Sequence, residues 1–171
     1  MSDFVGAGTY LIAGAKFPNM FILLNNGNKQ DGTKLSAWDN SKSPNAHWQV
    51  VYANVGKTGK EEYLLLNRAS GTYLTVSDKG KEVTCTTQSP LNDVTRWNII
   101  PLRNGTGRYW IAPVSNKTLG LHMAGGNGSK GSQIHIWSAA GDSNEMSQWY
   151  LYAVEGVPQN FPDTAKGSPP K

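Results

Sequence analysis

A single cysteine, Cys85, stands among the 171 residues, which excludes an intramolecular disulfide framework and any cysteine-based zinc cluster. Charge is also scarce. Asp, Glu, Lys and Arg make up 16% of the chain, against about 25% in an average soluble domain. Long uninterrupted segments are missing as well: the longest stretch free of Gly and Pro is residues 142–155, 14 residues. Long helices, coiled coils and membrane insertion through a span of about 20 apolar residues are therefore excluded. The net charge of +4 and pI near 9.2 are modest. Lys57, Lys60, Lys79 and Lys81 lie near turns and lack the dense one-faced clustering that nucleic-acid binding requires. The opening Met1-Ser2-Asp3 carries no positive charge, and Gly6, Gly8 and Gly14 interrupt the apolar residues that follow, a poor secretion signal. With one free cysteine, the expectation is a cytoplasmic protein, with release by non-classical routes or tissue damage left open. The sequons at Asn104, Asn116 and Asn127 carry no weight without secretion.

What the chain does have is 19 glycines, nine prolines, 10% aromatics and six tryptophans. This describes an all-β domain with many turns and more tryptophan than a core of this size requires. The tryptophans mark a repeat. Three segments close alike: Trp48-Gln49-Val50-Val51, Trp97-Asn98-Ile99-Ile100 and Trp149-Tyr150-Leu151-Tyr152, the tryptophans 49 and 52 residues apart. Val50, Ile99 and Leu151 each follow two positions later, the spacing that places both side chains on one face of a strand. Each segment also opens alike, at Tyr10, Tyr63 and Tyr109, which precede the closing tryptophans by 38, 34 and 40 residues. Between them lie further short strands at 20–24, 72–76 and 119–123, then at 34–38, 82–86 and 133–137, joined by turns such as Asp31-Gly32 and Asn104-Gly105. Four strands per unit and three units, about 8–56, 60–105 and 107–156, give one domain over 1–156 with a shared core. The unit lengths do not suit a propeller or an open solenoid, so a closed threefold barrel is expected. Residues 157–171 carry four prolines and no alternation, and are expected to form an extended or disordered tail, with contact to a partner subunit left open.

These residues resemble the ricin-B-type β-trefoil lectins, whose hallmark is a threefold repeat with each copy ending in Gln-x-Trp. The resemblance covers roughly residues 8–155 and is closest to the cytosolic fungal members. It implies a β-trefoil of three pseudo-symmetric four-stranded repeats and a lectin function. The sequence departs from the motif where the family has Gln, with Ala46, Thr95 and Ser147 in its place.

Trp48, Trp97 and Trp149 recur in every repeat and are read as core; Trp110, in an opening strand where the other repeats have Leu11 and Leu64, is read as packing. Trp38 and Trp137 differ. They precede their closing tryptophans by ten and twelve residues, and the second repeat has Thr86 at that point. A shared core position would need an apolar residue each time, so these two rings point to a surface role. A pyranose exposes C–H groups that pack on a rigid aromatic ring, and its hydroxyls match the mixed donors and acceptors of Asn, His and Gln. Around Trp137 the candidates are His122, Asn127, His135 and Asn144; repeat one offers Trp38 with Asn25, Asp39 and Asn45. Within the resemblance, His122 falls where many members place an acidic residue, a position held by Leu23 and Thr75 in the other repeats. The position two before the ring, His135 and Ser36, often carries a polar contact. Asn45 matches the family's sugar-binding asparagine, whereas repeats two and three show Val94 and Met146. Repeat two is expected to be degenerate.

Other signals fail. Gly126-Asn127-Gly128-Ser129-Lys130-Gly131 matches a dinucleotide-binding string, but a strand follows it where a helix is required. Gly56-Lys57-Thr58 lacks the leading glycine of a P-loop, Val51 standing in its place. No Gly-x-Ser-x-Gly or His-Glu-x-x-His string is present. Cys85 is read as a packed strand residue, and His47 as exposed or structural. The expectation is a non-enzymatic protein without cofactor or metal, whose partners are glycans on glycoproteins or glycolipids. The resemblance adds galactose, N-acetylgalactosamine or N-acetylglucosamine as ligands and defence as a role, with a homodimer left open as a source of avidity. The rivals are a β-trefoil protease inhibitor acting through Gln88-Ser89-Pro90-Leu91, and an actin- or receptor-binding trefoil without a sugar site.

Overall fold

In a computed structural model, residues 2–56, 59–77, 82–138 and 144–154 are described. The stretch 157–171, read as a tail, lies outside the described residues, as do Lys57, Lys79 and Lys81. Each repeat supplies four antiparallel strands. Repeat one has β1 (Gly8–Gly14), β2 (Phe21–Leu24), β3 (Thr33–Trp38) and β4 (His47–Val55). Repeat two has β5 (Glu61–Asn67), β6 (Tyr73–Val76), β7 (Val83–Thr86) and β8 (Trp97–Pro101). Repeat three has β9 (Tyr109–Pro113), β10 (Leu119–Met123), β11 (Ile134–Ser138) and β12 (Trp149–Ala153).

The outer strands of the three repeats pair in a ring, β1–β4–β5–β8–β9–β12 and back to β1, a closed six-stranded barrel with no free edge. The inner strands form three hairpins, β2–β3, β6–β7 and β10–β11, that cover one end. The closing tryptophans tie these layers together. Trp48, Trp97 and Trp149 are fully buried. Their indole N–H groups donate to the carbonyls of Ile22 at 2.8 Å, Leu74 at 2.9 Å and Leu121 at 3.0 Å. Each strand that closes a repeat is thus bonded to that repeat's own hairpin, which explains why tryptophan recurs there and Phe does not: a buried ring with a satisfied donor is needed. At the other end the opening tyrosines Tyr10, Tyr63 and Tyr109 surround Phe4, with ring centroids 5.4, 5.7 and 5.3 Å away.

The strand pairing also fixes the internal register on which the site reading depends. Leu23 pairs with Ser36, Thr75 with Thr84, and His122 with His135. Two residues along the same face, Phe21 pairs with Trp38, Tyr73 with Thr86, and Gly120 with Trp137. The hairpins are therefore superposable position by position, and differences between them are differences of side chain.

Candidate carbohydrate-binding sites

The hairpin of repeat three gathers His122, His135 and Trp137 on one face. The two imidazoles stack with centroids 5.1 Å apart, and Trp137 lies 6.1 Å from His122 and 5.8 Å from His135. Trp137 is 57% exposed, far more than a ring of that size needs to be. His122 Nδ1 is 2.7 Å from Ser147 Oγ. Ser147 occupies the position where the family motif has Gln, so in this repeat that position is bonded to a histidine. It sits on the single 3-10 turn Glu145–Ser147, capped by the Asn144 side chain, which accepts from Met146 N–H at 3.2 Å. Arg108 clamps the turn through Glu145 Oε1 at 2.6 Å and Gln148 Oε1 at 3.0 Å.

Burial, and then the facing His135 ring, push the His122 imidazole down to about 4, and burial lowers His135 as well. Both rings are neutral at pH 7, and each offers one donor and one acceptor nitrogen. His135 Nε2 is buried without a hydrogen-bond partner. A neutral imidazole pair beside an exposed indole suits an uncharged polyol.

Trp110 packs, as expected of an opening-strand residue, and its place is beside this face. A Cβ placed on Gly120 would lie 1.8 Å from Trp110 Nε1, so the indole occupies the space that Phe21 and Tyr73 fill in the other repeats. The signal was present in the repeat: leucine in two opening strands against Trp110, and an aromatic residue in two hairpins against Gly120.

In repeat one, Trp38 is 41% exposed at the end of β3. Ser36 Oγ donates to Asn25 Oδ1 at 2.6 Å, and Asp39 pairs with Lys130 at 2.8 Å. Asn45 is half-buried: its Nδ2 donates to Leu24 O at 3.0 Å and its Oδ1 accepts from Ser43 Oγ. Through these bonds it joins β2 to the turn before β4. Asn127 requires a correction. The expected place was beside Trp137, but the β10–β11 loop leaves the hairpin at Met123 and Ile134, three residues from the Gly120–Trp137 pair, about 10 Å along the strands. The loop docks on repeat one, and Asn127 Oδ1 accepts from Ser129 N–H at 3.2 Å within it.

Repeat two carries Thr86 at the platform position, buried, with its hydroxyl 2.9 Å from that of Thr75. Its one aromatic on this face is Tyr73, half-buried on the opposite strand. Cys85 is buried, and its thiol is pushed up to about 12 by burial, which makes it a packed group and not a nucleophile at neutral pH. His47 is buried, with Nε2 2.8 Å from Ser41 O. Among the described residues, no group of three or more His, Cys, Asp or Glu side chains could hold a metal ion, and no helix is long and apolar enough to cross a membrane.

A six-stranded barrel capped by three hairpins, with a buried tryptophan closing each repeat, defines a β-trefoil. A family model described as ricin-type beta-trefoil lectin domain-like matches residues 44–137, more than half of the chain. The chain belongs to that family, and carbohydrate binding is its function. It is 28% identical over 153 residues to an agglutinin of Sclerotinia sclerotiorum, covering 88% of this chain and 98% of the relative. The fold is similar to the crystal structure of the Rhizoctonia solani agglutinin, with TM-score 0.72, 18% identity, and 88% and 98% of the two chains covered. It is similar also to the Macrolepiota procera ricin B-like lectin in complex with lactose, with TM-score 0.69, 19% identity, and 90% and 100% covered. Membership in a lectin family points to binding and not to catalysis.

Proposed function

We propose that this lectin binds glycans at two aromatic platforms on the hairpin cap, one at Trp137 with His122 and His135, the other at Trp38. Terminal galactose, N-acetylgalactosamine or N-acetylglucosamine is the ligand class, held without turnover and without metal. The observation that carries the reading is the exposure of Trp137 beside two stacked neutral imidazoles, one of them held in place by Ser147. The lactose held by the Macrolepiota procera lectin supports the choice of sugars. Single shallow sites bind weakly, so two platforms on one chain raise avidity through effective concentration. The lone, buried thiol of Cys85 supports a cytoplasmic setting.

One feature favours the protease-inhibitor rival: Leu91, in the loop before β8, is 79% exposed. The loop is not extended as an inhibitory segment would be, since Ser89 O accepts from Asn92 N–H at 3.0 Å and Pro90 O from Arg96 Nε at 3.1 Å. A glycan array run on wild type, Trp38→Ala and Trp137→Ala, beside inhibition assays on serine and cysteine proteases, separates the two. Losing a stacked ring removes about 1.5–3 kcal/mol of apolar burial, so each variant is expected to bind about 10- to 100-fold more weakly at its own site. Array signals unchanged in both variants would remove the platforms, and protease inhibition without array binding would replace the reading altogether.

A further inference from the structure

The surroundings of Trp38 come from two repeats. The loop between β10 and β11 crosses to the end of β3, where Gly131 N–H donates to Ala37 O and Ala37 N–H donates to Ser132 O, both at 2.8 Å. Ser36 and Gln133 form a further bridge. A Cβ on Gly131 would lie 3.6 Å from the Trp38 ring, so the loop backbone runs along the edge of the indole. Further back, the ring of Phe17 fills the place of the missing side chain of Gly128, 2.5 Å from where its Cβ would stand. Lys130 Nζ then meets Asp39 Oδ2 at 2.8 Å, with the two side chains 58% and 38% exposed. Asp39 follows Trp38 in the chain and Lys130 precedes Gly131, so the ion pair adjoining the ring's edge has one member from repeat three and one from repeat one.

The same crossing occurs between repeats one and two, where it ends differently. Gly32 N–H donates to Cys85 O at 3.0 Å, and Asp31 Oδ1 accepts from Thr87 N–H at 2.8 Å and from its hydroxyl at 3.0 Å. That carboxylate is closed on a neutral neighbour, and the platform position beside it is the buried Thr86. At Trp38 the ring is exposed, and the ion pair uses one carboxylate oxygen and one N–H. Both partners keep capacity for further hydrogen bonds, the ammonium having three donors and the carboxylate about four acceptor sites.

Resting on the reading of Trp38 as a sugar platform, we infer that its site is a two-repeat site in which Lys130 and Asp39 read adjacent hydroxyls of the stacked sugar. The carboxylate accepts from one hydroxyl and the ammonium donates to its neighbour, so a vicinal diol bridges the pair without breaking it. Lys130 is then a specificity-determining residue, supplied to repeat one by repeat three. An exposed pair of this kind adds little to folding stability, so its removal is read in binding.

The test uses the full chain carrying Trp137→Ala, titrated with lactose, N-acetylgalactosamine and N-acetylglucosamine. Lys130→Ala and Asp39→Asn are each expected to weaken the best-bound of these about 5- to 20-fold, with melting temperatures unchanged. The double variant should be little weaker than the worse single one, because the two groups act on one diol, and Lys130→Arg should recover part of the loss. Wild-type affinity in Lys130→Ala, with Trp38→Ala abolishing binding, overturns the two-repeat site and leaves the platform standing. Binding unaffected by Trp38→Ala, or no binding of any of the three sugars in the Trp137→Ala chain, overturns both.

Discussion

His122 carries the most specific chemistry at the scale of single residues. Its Nδ1 is held by Ser147, its ring faces His135, and burial brings its titration down to about 4. Next to Ser147, Glu145 on the same turn is paired with Arg108. In the unfolded chain both histidines titrate near the ordinary value of about 6.5. Between about 6.5 and 4 the unfolded state therefore binds more protons than the folded one, and stability rises with pH. The two histidines' share of stability is fully present above about 6.5 and is lost as pH falls towards 4. An NMR titration should show the His122 ring carbons inflecting near 4, with His135 also below 6.5 and the two curves coupled. His122→Gln should flatten the dependence of melting temperature on pH in that window. A His122 midpoint at or above 6.5 would contradict the packed neutral pair.

Among elements, the β10–β11 hairpin carries a coupled exchange against its two counterparts, Gly120 with Trp110 in place of Phe21 with Leu11 and Tyr73 with Leu64. Gly120→Ala sets a methyl group 1.8 Å from Trp110 Nε1, which forces the indole to move. Such overpacking costs about 1–3 kcal/mol, which lowers the melting temperature by about 2–10 °C. Adding Trp110→Leu, the residue of the other two repeats, should return part of that loss. Calorimetry of the three variants checks this, and a Gly120→Ala chain that melts like wild type would place Trp110 elsewhere. The exchange also shows where sequence reading reached its limit. The strands were legible because Trp48, Trp97 and Trp149 alternate with Val50, Ile99 and Leu151, a local period that the barrel preserves. The exposure of Trp38 and Trp137 was legible because repeat two has Thr86 at that point. Where Trp110 lies, and that residues 125–131 lean on repeat one, depend on packing between segments distant in the chain, and neither periodicity nor composition reports that.

For the whole molecule, threefold geometry supplies three equivalent hairpin faces, and the side chains decide which can hold a sugar. Repeat three offers Trp137 with two histidines, repeat one offers Trp38 with Asp39 and a lysine from its neighbour, and repeat two closes its face with Thr75 and Thr86. Departure from Gln-x-Trp does not disturb the barrel, because the indole N–H bonds to Ile22, Leu74 and Leu121 hold the tryptophans whatever precedes them. It does reach the hairpin face of repeat three, where Ser147 bonds to His122. Two working faces out of three, as proposed, fix a definite stoichiometry. Calorimetric titration with lactose should give two sites per chain for wild type, one for Trp38→Ala and one for Trp137→Ala. The double variant should give none while melting as wild type does. A double variant that still binds lactose with wild-type stoichiometry and affinity would contradict the assignment of carbohydrate binding to these two rings.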